Sequence, residues 1–425
     1  MSAPSGLAAA DELGIECVDA AVVVEQHANA DTVDPGISTA IYFAAFTGLG
    51  LIVAAPGPIF LALAKQTDEP IDAVGTIFIT RAIGYVVGGV TAGWLLDRFP
   101  KYGNAVLAIS VAVCSVCTMV VPMTASLAIV CVLFTSHGVT RGFLGSCGTT
   151  LLIVLHGKAV QPFMQALHLC FGIGAFVSPL LLSAVMGDSK SSDYGKVFYL
   201  YASYFGLLAV ALFLVPSPTV PSATVPTGEA EEQGDDDHWR FKASIAVFLG
   251  LYVGTEAAFG GFLYSYGVLH LGMTSKDAHL LTAVFWGLLA IGRLVAVPLS
   301  VTVRPSSMIM VNLVGCFVAT LAMALSPESP TVLWIVTAVL GGSMASIFPN
   351  AYNLASTSTT VSGKVASSFQ VGAACGEMAL PALAGVLFTQ IGPPSYPFVI
   401  LVSTCIMAGA FGLCLYFSPA PRPSE

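Results

Sequence analysis

The chain has 425 residues, of which 56% are hydrophobic and only 9% charged, with a formal net charge of −9. Water-soluble domains carry about a quarter charged residues, so this composition excludes a soluble globular surface. There is no basic face of the kind nucleic-acid binding requires, and the expected surroundings are a lipid bilayer.

Residues 1–36 form an acidic tail with Asp11, Glu12, Glu16, Asp19, Glu25, Asp31 and Asp34. It lacks the basic start and apolar core of a secretory signal peptide, so the first helix is expected to insert unaided and to stay. Apolar stretches follow near 38–61, 73–95, 104–122, 127–155, 163–186, 196–215, 243–270, 279–301, 307–326, 331–353, 365–390 and 395–418. Each is close to the roughly 20 residues that span a bilayer as a helix. None has the period-2 alternation of a membrane strand.

Residues 216–242 separate six segments from six. This stretch opens on Pro216, Pro218, Pro221 and Pro226 and closes on Glu229, Glu231, Glu232, Asp235, Asp236 and Asp237. It reads as a disordered tether, with regulatory phosphorylation as the alternative role. The expected organisation is a tail at 1–36, a six-helix bundle at 37–215, a linker at 216–242, a second bundle at 243–418 and a short tail at 419–425.

The two halves repeat one another. Ala82-Ile83-Gly84 returns as Ala290-Ile291-Gly292, an offset of 290 − 82 = 208. Gly174 and Pro179 return as Gly376 and Pro381, an offset of 376 − 174 = 202. A duplicated unit of this kind builds many secondary transporters. The predicted fold is therefore all-α: twelve transmembrane helices in two pseudo-symmetric bundles.

Orientation follows from the short loops. With the N-terminus cytosolic, Arg98, Lys101, Lys158, Arg240, Lys242, Arg304, Lys364 and Arg422 lie inside, against Lys65, Lys190, Lys196 and Lys276 outside. Both termini are expected in the cytosol, in the plasma membrane or, alternatively, an internal one. Nine of the ten cysteines fall in apolar segments, Cys17 alone in the tail. The Cys114/Cys117 pair sits mid-helix, where free thiols are expected rather than a metal site or disulfide. No cofactor is expected, and the protein is expected to be a monomer.

The stretch Gly93-Trp94-Leu95-Leu96-Asp97-Arg98 resembles the G-x-x-x-D-R signature of the major facilitator superfamily, although Pro100-Lys101-Tyr102 replaces the usual Gly and paired basic residues. Asp97 and Arg98 are the expected gating residues, since a loop carboxylate can cap a helix end or pair across the bundle. Further stretches resemble the fucose-permease-like branch, which includes animal sodium-dependent glucose transporters. They are Tyr252-Val253-Gly254-Thr255-Glu256 with Gly260-Gly261-Phe262, Phe285-Trp286-Gly287 with Gly292-Arg293-Leu294, and Gln165-Ala166-Leu167-His168 with Phe171-Gly172 and Gly174-Ala175. The resemblance implies a twelve-helix fold, a central cavity between the halves lined by helices 1, 4, 7 and 10, and sugar transport coupled to an ion, H⁺ or Na⁺. Proton-coupled sugar permeases of this branch carry acids in helices 1 and 4, and this chain has none there.

Charges at a helix centre in the bilayer cost at least about 2.5–3.5 kcal/mol each on insertion scales, so each is a candidate for function. They are Glu256 in helix 7, Glu377 in helix 11, Arg141 in helix 4, and Arg81 and Arg293 in helices 2 and 8. His168 lies nearer the cytosolic end of helix 5. Arg81 and Arg293 are expected to pair with buried acids. Glu256, on a Gly-rich helix, is expected to take solute hydroxyls, Na⁺ or a proton. A sugar also needs amides and an aromatic face, for which Gln165, Asn350, Asn353, Gln370, Phe259, Phe262, Tyr264 and Trp286 are the candidates.

No P-loop motif is present. His137, His156 and His168 lack a carboxylate at catalytic spacing, so an enzyme is not expected. Two alternatives stand beside a sugar symporter. One is an organic-anion or monocarboxylate transporter, suggested by three intramembrane arginines against two glutamates. The other is a non-transporting sensor or scaffold.

Overall fold

The structure is a computed structural model that describes residues 33–187, 194–220, 238–359 and 363–419. Most of the N-terminal tail, most of the 216–242 linker, the last residues of the C-terminal tail, Cys17, Lys190 and Arg422 lie outside the described residues.

Among the described residues, twelve helices are long and apolar enough to cross a membrane. We number them α1 (Pro35–Ala54), α2 (Ile71–Arg98), α3 (Gly103–Met123), α4 (Leu127–His156), α5 (Pro162–Met186), α6 (Gly195–Leu214), α7 (Trp239–Leu269), α8 (Ser275–Ser300), α9 (Pro305–Leu325), α10 (Pro330–Ser358), α11 (Ser368–Gln390) and α12 (Ser395–Phe417). In hydrocarbon every backbone N–H and C=O must bond within its own segment, which selects helices. Local residues set the starts. Asp34 accepts from the Gly36 amide at 2.7 Å and the Ile37 amide at 3.1 Å, with Pro35 in the first turn. Ser329 caps α10 in the same way, again followed by proline.

The sequence repeat marks contact points. A Cβ on Gly174 of α5 would strike the Thr47 carbonyl oxygen of α1, and one on Gly376 of α11 would strike the Gly250 carbonyl oxygen of α7. Gly138 of α4 lies in the same way on the Arg81 carbonyl of α2, and Gly341 of α10 on the Phe285 carbonyl of α8. Thus α1/α5 corresponds to α7/α11, and α2/α4 to α8/α10. Each crossing brings two backbones together where no side chain fits. Gly376→Ala is expected to lower stability by about 1–3 kcal/mol through overpacking. A thermal melt in detergent unchanged from wild type would contradict this.

Among the described residues α2 is broken at Gly75, and three further helices depart from single rods. The first expected segment divides at Ala55, whose backbone stays αR, and a second helix, Pro56–Thr67, continues it. Pro56 and Pro58 lack the N–H groups that would extend one rod. In α4 a π-turn occupies Leu144–Gly148, and α10 is interrupted between Met344 and Ile347. With an offset of 341 − 138 = 203, the two irregularities fall at nearly corresponding places in the two halves. Such paired interruptions mark the binding site in transporter folds.

The halves meet along α2/α11 and α5/α8. On the side away from the chain termini, Phe60, Phe78, Phe262 and Phe388 close the passage, with ring centroids 5.8 Å (Phe60–Phe78), 5.1 Å (Phe60–Phe262) and 5.6 Å (Phe262–Phe388) apart. On the terminus side the ends of α4 and α10 pack chiefly within their own halves. The first linker residues are not a free tether. Asn104 Nδ2 donates to the carbonyls of Val215 (3.2 Å) and Pro216 (3.1 Å), and the Val220 amide donates to Pro100 O at 3.1 Å. Extended Pro-rich backbone leaves its carbonyls unpaired; Asn104, at the start of α3, supplies the donors, and Pro100 of the α2–α3 loop accepts from Val220.

Candidate solute cavity between the two halves

Glu377 lies at the centre of the α2/α11 seam, with its side chain 2% exposed. Arg81 Nη2 donates to it at 2.8 Å and Arg141 Nη1 at 2.6 Å. Arg81 Nη1 also reaches the Val53 carbonyl at 3.4 Å, near the end of α1. The Arg141 guanidinium stacks 4.6 Å from the Tyr85 ring centre, and the Tyr85 hydroxyl donates to Gln370. One carboxylate from the second half thus holds two arginines of the first. Tyr85 and Gln370 add a further bond between the halves about two turns along.

Glu256 of α7 is half-buried and accepts from the Tyr252 hydroxyl. Tyr252 stands four residues earlier, on the same helical face. Its hydroxyl also lies 3.0 Å from the Met344 carbonyl oxygen, and Arg293 Nε donates to the Ala345 carbonyl at 3.3 Å. A helix end leaves its last carbonyls without helical donors; at the α10 interruption α7 and α8 supply side-chain donors instead. Arg293 and Arg141 are the cations within electrostatic reach of Glu256.

Between these groups lies a cavity lined by Val53, Ala54, Pro56, Gly57, Phe78, Arg81, Arg141, Phe171, Val253, Glu256, Ala257, Gly260, Gly261, Trp286 and Glu377. The centre of a water-sized sphere can explore about 40 Å³ of it, room for a few waters. A hexose needs more, so the walls must part to admit one. Glycines bring Glu256 close to the opposite half: a Cβ on Gly57 would lie 2.5 Å from the Gly260 carbonyl oxygen.

A family model described as Major Facilitator Superfamily matches residues 38–374 and 263–425. The chain belongs to the major facilitator superfamily. It is similar to human (Homo sapiens) sodium-dependent glucose transporter 1, with 31% identity over 391 residues, 85% of this chain and 75% of that one. It is 28% identical to mouse (Mus musculus) sodium-dependent glucose transporter 1A, over 88% of this chain and 94% of that one. Among solved structures, the nucleoside transporter NupG superposes with a TM-score of 0.69 at 12% identity, covering 90% of this chain and 99% of that one. A bacterial homologue of the human lysosomal transporter Spinster, in an inward-facing and occupied conformation, does so with a TM-score of 0.66 at 12% identity, covering 90% and 96%. As a superfamily member the chain is an integral, multi-pass membrane transporter and not an enzyme.

In this superfamily member α1, α4 and α7 of the four expected helices contribute lining residues, α10 contributes none among the described residues, and α2, α5, α8 and α11 add to the wall. Tyr252 and Arg293 fill the space in front of the interrupted helix. Asn350 is buried away from the cavity, and Asn353 is exposed near the end of α10. Phe259 packs between Phe285 and Tyr396, Phe262 belongs to the aromatic closure, and Tyr264 bonds to Ser275 at 2.9 Å. Gln165 and His168 are exposed on α5, with His168 edge-on to Phe46 at 6.0 Å and within reach of Arg293. The structure brings together Glu256, Glu377, Arg81, Arg141 and Trp286, with Gln370 beside them. Arg293 makes no ion pair within 4 Å among the described residues. Asp97 and Arg98 stand exposed at the end of α2, Asp97 without a bonded partner among the described residues. Tyr85 and Tyr252 were not foreseen; their positions beside embedded charges, at i+4 for Tyr252, are the signal that could have found them.

Proposed function

We propose that the protein carries a sugar across the membrane by alternating access, coupled to Na⁺ or H⁺, and that the present conformation is the inward-facing one with both termini cytosolic. Glu256 carries this reading. It is a carboxylate at mid-membrane whose one hydrogen-bond partner among the described residues is a tyrosine hydroxyl, in a cavity that Trp286 and Phe171 line with ring surface. Such a group accepts sugar hydroxyls or takes up a cation as its charge is neutralised. The names of the human and mouse relatives support the same substrate class and sodium as the coupling ion. The proposed location is the plasma membrane.

Thermal stability in detergent tests binding. A hexose present at about 100 times its Kd is expected to stabilise the protein by about 2.7 kcal/mol, with a larger shift when Na⁺ or acidity supplies the coupling ion. A screen in which no hexose shifts the melt under any ion condition overturns the reading.

The exposed Asp97 and Arg98 form the terminus-side gate of this proposal, latching the halves when that side closes. Asp97→Asn is expected to slow turnover while leaving solute Kd unchanged, because a gate alters conformational populations rather than site contacts. Wild-type turnover in that variant would count against a latch.

A further inference from the structure

Three guanidinium groups, Arg81, Arg141 and Arg293, face two carboxylates, Glu256 and Glu377, at mid-membrane. Both Glu377 oxygens accept from Arg81 and Arg141, which leaves that group with one positive charge unbalanced. The same cavity holds unused donors. Among the described residues Arg81 Nε is buried without a partner, and so is Trp286 Nε1, on a residue 5% exposed. Arg141 uses only Nη1 on Glu377; among the described residues its Nη2 and Nε donate to nothing, and its side chain is 21% exposed. Glu256, by contrast, accepts one bond, from Tyr252, and has acceptor capacity left.

An occupant that completes this cavity brings negative charge and acceptors to the arginines and Trp286, and hydroxyl donors to Glu256. We propose that the transported solute is a polyhydroxylated carboxylate, a sugar acid, whose carboxylate is received by Arg141 and Arg81 and whose hydroxyls donate to Glu256. The proposal rests on the sugar reading above and narrows its substrate class. A planar guanidinium matches a carboxylate in a two-bond fork, and a neutral hexose has no group to match. The incoming carboxylate also competes with Glu377 for Arg141, so binding loosens a bond that holds α11 of one half to α4 of the other.

Counterflow in proteoliposomes with labelled D-glucose and labelled D-glucuronate tests this. In the wild type, glucuronate is expected to reach half-maximal exchange at a concentration at least about tenfold lower than glucose, a difference of about 1.4 kcal/mol. Arg141→Gln is expected to remove that preference, and Arg141→Lys, which keeps the charge but not the fork, to reduce it. Thermal stabilisation of the wild type by glucuronate over glucose is the readout that needs no variant. Glucose exchange with neither exchange nor inhibition by glucuronate overturns the sugar-acid assignment and leaves the sugar reading standing. Exchange of neither compound overturns both. A glucuronate preference that survives in Arg141→Gln overturns the placement of the carboxylate.

Discussion

Glu377→Gln is expected to destabilise the protein by about 3–5 kcal/mol, the usual consequence of removing one partner from a buried ion pair. Arg81, 5% exposed along its side chain, then loses the anion 2.8 Å from its Nη2, and Arg141 loses the same partner. Two like charges are left close together at bilayer depth, where charge is most costly. The neutral amide can still accept one bond, but it balances no charge. The expected observations are a lower melting temperature and an aromatic closure that opens more readily, because Glu377 is the link that ties α11 to α2 and α4. Cysteine labelling near Phe60 would report the second effect. In the double variant Arg81→Met with Glu377→Met, part of the stability should return, since only Arg141, 21% exposed along its side chain, is then left without the carboxylate. A Glu377→Gln protein that melts with the wild type would show that the pair contributes nothing to holding the halves together.

Glu256→Gln is expected to lower coupled uptake at least about tenfold, or about 1.4 kcal/mol, with normal folding and membrane insertion. The substitution keeps shape and one acceptor for Tyr252, but it cannot bind a proton or neutralise a cation. Glu256 differs from Glu377 in being half-exposed to the cavity and in lacking an ion-pair partner within 4 Å among the described residues. It is therefore the carboxylate with capacity for an incoming ligand. Normal uptake by Glu256→Gln across pH 5–8, with and without Na⁺, would make Glu256 a structural group that caps Tyr252.

Much of this architecture was legible because it is repeated. The Gly174/Gly376 correspondence is a packing constraint written twice, and each copy lies where two helices cross backbone to backbone. The embedded charges were legible too, since charge at a helix centre is rare enough to stand out. Their pairing was not. Arg81 and Glu377 are 296 residues apart in sequence, and only the docking of one half on the other puts them in contact. The asparagines of α10 were candidates for their amides alone, and the break in that helix was not foreseen. Its interruption after Met344 exposes carbonyls that Tyr252 and Arg293 satisfy, and those side chains occupy the wall the asparagines were expected to form. Phe259 failed for a simpler reason. Gly260 shares the face of Glu256, while Phe259 is turned one position away, onto Phe285 and Tyr396.

The most direct test of the account is uptake of labelled sugar, hexose and hexuronate, by purified protein in proteoliposomes under an imposed Na⁺ or pH gradient. Accumulation above the external concentration is expected, collapsing when an ionophore dissipates the gradient and falling at least about tenfold in Glu256→Gln. Sealed, correctly folded proteoliposomes that take up neither solute under either gradient would contradict it.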